Sequence, residues 1–239
     1  MLLQLALSFD DGPHALATGY TAQVVKVLAA NSVQPGIKAA FFVQTHAPAR
    51  GGDPVGRQLI TDASRAGHVV GIHTGSQTDH ALHTVRVGAP AENVTGTADP
   101  DGENGLQSDM IRAKSRLAEL TGSVPKYVRP TEGKHDRRVL ATYGREGLKM
   151  VLWDVDGQDR ADRTAEQVRS SLTAGVRAMF QGARASAVIL LHDVQRATAA
   201  HLESYLQAMK AGASNPGDQV SFISSAADLE RIFNARADG

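Results

Sequence analysis

The sequence predicts an α/β fold, a (β/α)7-type barrel with parallel strands, and three observations lead there. Short apolar runs alternate with helix-period segments along the whole chain. Its 239 residues are a length that α/β barrels reach as one domain. Polar, chemically capable side chains recur directly after the apolar runs, where the functional face of such a barrel lies. A doubly wound open sheet is the alternative that the same alternation allows.

Residues 5–9 form an alternating apolar strand, broken by Gly12 and Pro13. A helical pattern over 21–30 leads to the apolar run 39–43, read as the second strand. Helix 55–66 and strand 68–72 follow, the latter opening into a histidine-rich region. Then come helix 106–120, strand 127–129, helix 137–143 and strand 149–152. Helix 165–180, strand 187–191, helix 198–210, strand 220–223 and helix 226–235 bring the strand count to seven. One compositional break, 84–105, is rich in Gly, Pro, Asn and Asp and has little apolar periodicity. Directly after the histidines, so long a segment reads as a rim loop, or a lid, on one domain spanning 1–239.

Composition narrows the function. At 42% hydrophobic and 21% charged the chain can build a sizeable core. Lys+Arg and Asp+Glu balance at 25 each, so no net field draws in nucleic acid or an anionic membrane. Cysteine is absent, which excludes disulfides and thiol chemistry and leaves histidines and carboxylates as metal donors. No apolar run approaches the roughly 18 to 20 residues that span a bilayer. The first strand begins almost at once, without a basic region or cleavage site. The expected location is therefore the cytoplasm, or outside it for a trimmed exported form. No glycine-rich phosphate loop is present, which disfavours nucleotide chemistry.

The segment LALSFDDGPH, residues 5–14, is the most informative string. It carries Asp10 and Asp11 to a strand end, where adjacent side chains of an extended backbone point to opposite sides. One carboxylate can then face a metal and the other a water or a cation. A plain DDGP turn capping the strand is the simpler alternative. His73, Arg129, the acids Asp154, Asp156 and Asp159, and the pair His192-Asp193 follow later strands. A single histidine after a strand is ordinary, so the inference rests on the set.

These residues bring the chain into resemblance with the metal-dependent polysaccharide deacetylases that share the NodB homology domain, carbohydrate esterase family 4. FDDGP near the start, LITDASRAGHVVGIHT at 59–74 and LHD at 191–193 carry the resemblance over most of the chain. It implies a distorted (β/α) barrel that hydrolyses N-acetyl groups of an amino sugar or polysaccharide. Asp10 would then be the general base acting on a metal-bound water, with Asp11 and His73 as metal ligands. Arg129, in YVRPTEG, would hold Asp10 in place and keep it ionised. Asp159 would keep His192 protonated as donor to the leaving amine, since an amide nitrogen leaves poorly otherwise. A backbone amide beside Glu132 would help stabilise the oxyanion.

Departures from the family pattern stand beside the matches. Where a second histidine is usual, four residues after His73, this chain has Gln77, and HTGSQTDHALH supplies His80 and His83 instead. His80 is favoured as third ligand over His83, the alternative being that both are solvated loop residues. The usual Tyr and Trp of the sugar groove are Glu132 and Arg160 here, which either contact a charged or short substrate or pair with each other. Trp153, closing KMVLW, is the remaining candidate for substrate contact. Zinc is the first metal expected at a His2Asp site with an open position, with Co, Ni or Mn possible. Two other functions compete: an amidase of the same fold acting on a small non-sugar amide, and a catalytically weakened relative that binds a glycan or a metal. Retention of Asp10, Arg129, Asp159 and His192 together argues against the second.

Overall fold

A computed structural model describes residues 1–75, 105–213 and 215–237. His80, His83, Gln77 and nearly all of the expected rim loop 84–105 lie outside the described residues.

Among the described residues eight parallel strands form one sheet: β1 (Leu2–Gly12), β2 (Ala39–Gln44), β3 (Val69–Thr74), β4 (Tyr127–Val128), β5 (Lys149–Met150), β6 (Val155–Asp156), β7 (Ser186–His192) and β8 (Gln219–Phe222). Their order is β5-β4-β3-β2-β1-β7-β6, and β8 pairs with the first residues of β1 on the β2 side. With β5 and β6 as its edges, the sheet curls into a half-barrel, consistent with the distorted barrel expected. The strand missed by sequence is β6, a two-residue pairing of Val155–Asp156 with Ile189 and Leu190. So short a ladder leaves no periodic signal.

Seven α-helices are described: α1 (Tyr20–Ala29), α2 (Pro54–Arg65), α3 (Leu106–Thr121), α4 (Arg137–Arg145), α5 (Ala165–Gln181), α6 (Arg196–Lys210) and α7 (Ala226–Ala237). Their ends fall within two residues of the sequence boundaries, and side-chain caps mark the start of two of them. Asp136 caps α4 by accepting from the amides of Arg138 and Val139. Thr164 and Gln167 form a reciprocal capping box at the start of α5.

Strand β1 shows how the sheet divides the core. Leu3, Leu5, Leu7 and Phe9 point outward into the core shared with helices α1, α5 and α6. Ala6, Ser8 and Asp10 have the opposite parity and face the concave side. There Leu229, Ile232 and Phe233 of α7 pack against Ala6, Ala40, Phe42, Tyr127, Val151 and Val188. Helix α7 thus fills the concave side with apolar side chains, and the polar groups Ser8, Asp10 and Arg129 lie toward the C-terminal strand ends.

Two ladder irregularities sit at those ends. Asp10 pairs with Phe42 and Gly12 with Val43, which leaves Asp11 as an extra residue. Likewise Val43 pairs with Ile72 and Gln44 with Thr74, which leaves His73 as an extra residue. β-Bulges re-aim side chains in this way.

Candidate active site

An open cleft of about 490 Å³ lies at the C-terminal strand ends, lined by Asp10, Asp11, His73, Thr131, Glu132, Trp153, Asp156, Arg160, Leu190 and His192. The described candidates from the sequence are in this lining except Arg129 and Asp159, which stand behind it as partners of Asp10 and His192, and Asp154 and Asp193. Asp154 does not take part. It pairs with Arg236 and accepts from the Val188 amide, which ties β7 to α7.

The expectation that Asp10 and Asp11 point to opposite sides is corrected here, since both line one cleft. The parity rule assumes a regular strand, and Asp11 is a bulged residue with φ of 69°, in the left-handed region. Gly12 follows directly over Asp193. A Cβ at position 12 would lie 2.3 Å from Asp193 Oδ2, so only glycine fits. Asp193 is fully buried and accepts from Thr21 Oγ1 at 2.6 Å. Burial pushes its carboxyl up to about 7 against that hydrogen bond. The same Thr21 hydroxyl accepts from the His14 amide, tying the turn after β1 to α1.

Asp10 is held from behind. The fully buried Arg129 donates from Nη1 to Asp10 Oδ1 at 2.9 Å and to Ser8 Oγ at 2.8 Å, and from Nε to the Val151 carbonyl. Its guanidinium lies 4.1 Å from the centre of the Phe42 ring and 5.6 Å from that of Trp153. The Ser8 hydroxyl in turn donates a hydrogen bond to the Ile189 carbonyl at 2.7 Å. Ser8 was missed in the sequence, although it shares strand parity with Asp10 two residues on.

Asp11 and His73 form a donor pair. His73 Nδ1 bonds the Arg129 carbonyl at 2.8 Å, which directs Nε2 toward Asp11 Oδ1, 3.3 Å away. Gln44 Nε2 donates to the same Asp11 oxygen at 3.0 Å. Although burial opposes a charge on His73, the charges of Asp10 and Asp11 raise its pKa above the ordinary value. A site whose field draws a proton onto a ring nitrogen beside a carboxylate also suits a divalent cation, so the two donors fit one. Among the described residues they meet no third ligand.

His192 is the other held group. Strand pairing sets it beside Asp10, and its Nδ1 lies 2.7 Å from Asp159 Oδ1. The second Asp159 oxygen accepts from the His192 amide at 2.8 Å and from the Thr198 hydroxyl. Burial works against a charge on His192, but the hydrogen bond and charge of Asp159, with Asp10 and Asp11 beyond, hold its pKa up at about 9. Thr198, at the start of α6, carried no signal in the sequence.

On the rim, Glu132 has φ of 53° and pairs with Lys134, so the expected alternative of a Glu132–Arg160 pair is not formed. Trp153 packs its ring edge over Gly133, where a Cβ would lie 3.0 Å away.

Fold and cleft together define the class: an α/β half-barrel whose polar groups converge at the C-terminal strand ends. The polysaccharide deacetylase family profile matches residues 4–151, and the chain belongs to that family. Peptidoglycan-N-acetylglucosamine deacetylase PgdA of Listeria monocytogenes is 27% identical over 207 residues, 87% of this chain and 36% of that protein. A chitin deacetylase from Pestalotiopsis sp is 29% identical over 215 residues, 88% of this chain and 60% of that protein. The chain therefore spans about a third of the length of the first and three-fifths of the second. The family 4 acetyl xylan esterase from Clostridium thermocellum, solved with a cobalt ion, has a TM-score of 0.63 at 19% identity, covering 96% of this chain and 91% of that one. At that identity the likeness is one of fold.

Proposed function

We propose that the chain hydrolyses the N-acetyl group of an amino sugar within an oligo- or polysaccharide, releasing acetate and a free amine. Asp11 and His73 would hold a divalent cation, zinc first and cobalt, nickel or manganese next, with His80 as third ligand ahead of His83. When bound, the cation supplies Lewis-acid polarisation of the amide carbonyl and a more acidic water.

This chain's residues account for the proton transfers. Asp10 accepts a proton from the attacking water, and its hydrogen bond to Arg129 keeps the receiving carboxylate in place. His192 carries a proton up to about pH 9 and donates it to the amide nitrogen as the C–N bond breaks. Asp159 holds the imidazole by Nδ1, so Nε2 is the nitrogen that donates. Water and amide become carboxylic acid and amine, and the proton taken by Asp10 replaces in net terms the one lost by His192. Trp153 gives the cleft an apolar wall against which a sugar ring can lie.

The observation that carries this function is the pairing itself: Asp10 on Arg129 and His192 on Asp159, two separately held groups in one cleft beside the Asp11–His73 pair. Neither partner is needed to bind a metal or a glycan. Asp10→Asn tests it through bound metal and turnover together. The expected result is unchanged zinc content with turnover lower by about 10²- to 10⁴-fold. Unchanged turnover removes Asp10 from the chemistry.

A further inference from the structure

Among the described residues, no acid answers the charge of Arg160, which lines the cleft. Four carboxylates line the same cleft, and each is engaged elsewhere: Asp10 by Arg129, Asp11 by Gln44 and His73, Glu132 by Lys134, and Asp156 by the Gln158 amide. Among the described residues Arg160 makes no ion pair and no side-chain hydrogen bond. An exposed arginine is usually just solvated. This one differs in its mount.

The turn that carries it is fixed at both ends. Gln158 has φ of 54° and accepts from Arg163 Nη2 at 3.1 Å, while the Arg163 amide donates to the Arg160 carbonyl at 2.9 Å. Between them the buried Asp159 grips His192. The backbone that sends Asp159 inward to the proton donor leaves Arg160 on the wall of the cleft that His192 also lines. Given the deacetylase function proposed above, on which this rests, His192 serves the leaving nitrogen. The sugar is attached to that nitrogen, so the wall near His192 faces the sugar rather than the acetyl group. A planar guanidinium there matches a carboxylate, with which it forms paired, charge-assisted hydrogen bonds.

We propose that Arg160 is a specificity-determining residue that binds a carboxylate carried by the saccharide, so that the preferred substrate is an anionic N-acetylated glycan rather than a neutral one. The carboxylate has two possible sources: a uronate ring next to the N-acetylated sugar, or an acidic ether substituent on that sugar.

Matched probes separate them. One pair is a tetrasaccharide alternating N-acetylglucosamine with glucuronate, and the same molecule with each carboxylate made a carboxamide. The other is a disaccharide of N-acetylglucosamine in which one ring bears an O3-lactyl ether, again as acid and as carboxamide. Equilibrium binding to the metal-free full chain by calorimetry, and acetate release from the zinc-loaded chain, are measured for wild type, Arg160→Gln and Arg160→Lys. The expected result is that one acid binds about ten- to one-hundred-fold tighter than its carboxamide, the range for a hydrogen bond to a charged group. That ratio falls to about one in Arg160→Gln and is partly kept in Arg160→Lys. Which pair shows it identifies the source. Since each ratio is taken within one variant, a general loss of folding cancels. Ratios near one in the wild type for both pairs, or a ratio kept in Arg160→Gln, overturn the role of Arg160. Acetate release without preference leaves the deacetylase function standing while removing this one. Preferential binding without any release does the reverse.

Discussion

Asp159→Asn isolates the contribution of one carboxylate to the proton donor. The substitution keeps the shape of the side chain but removes the charge 2.7 Å from His192 Nδ1. With Asp159 in place the imidazole titrates at about 9, above the ordinary 6.5. Without that charge only the more distant charges of Asp10 and Asp11 oppose burial, and the imidazole is expected to return to about its ordinary 6.5. At pH 8 the protonated fraction then falls from about nine-tenths to roughly one-thirtieth. The expected kcat/KM at pH 8 is therefore about thirty-fold lower, recovering to within a factor of roughly two near pH 6. Stability follows the same sign. Because the folded-state pKa is raised, the pairing stabilises fully below about pH 6.5 and fades as pH rises through about 9, with a size of about 3 kcal/mol. The assays are a pH–rate profile of acetate release, an NMR titration of the His192 ring, and denaturant melts at pH 6 and pH 9.5. An alkaline limb that stays in place in the variant would refute the assignment of His192 as the donor tuned by Asp159.

Three further outcomes follow from the geometry. Gly12→Ala drives a methyl group into the Asp193 carboxyl and is expected to lower stability by about 1–3 kcal/mol, read as a fall in melting temperature. Arg129→Met leaves the buried Asp10 carboxylate without its partner, with an expected loss of about 3–5 kcal/mol in urea unfolding. Zinc at one hundred times its Kd should stabilise the wild type by about 2.7 kcal/mol in thermal melts, a gain that Asp11→Asn removes.

The sequence was most legible where structure repeats. Helix α5 falls within one residue of its sequence bounds because its apolar spacing runs its full length, and the Thr164–Gln167 capping box fixes its start in the structure. β6 was invisible because two residues pairing with Ile189 and Leu190 have no period. At the site, Asp10, Asp11, His73, Arg129, Asp159 and His192 were legible because each ends or follows a strand. Their orientation was not. The strand-parity rule failed at Asp11, where a bulge and a left-handed backbone turn the side chain, and only the register with β2 reveals that. The supports were harder still. Ser8 could have been found from its parity with Asp10, whereas Gln44 and Thr198 reach Asp11 and Asp159 from elements distant in sequence. Asp193 was visible as part of LHD, but its contact with Gly12 depends on β1 lying against β7.

The most direct test of the central claim is acetate release from N-acetylated chitooligosaccharides and acidic glycans, followed before and after chelation and again after zinc is restored. Release that stops with chelator and returns with zinc is the result predicted for a cleft built on Asp10, Asp11, His73 and His192. Release indifferent to chelator would contradict the cation's part in the chemistry. No release from any acetylated sugar, with zinc bound, would contradict the proposed substrate and direct the search to a small non-sugar amide.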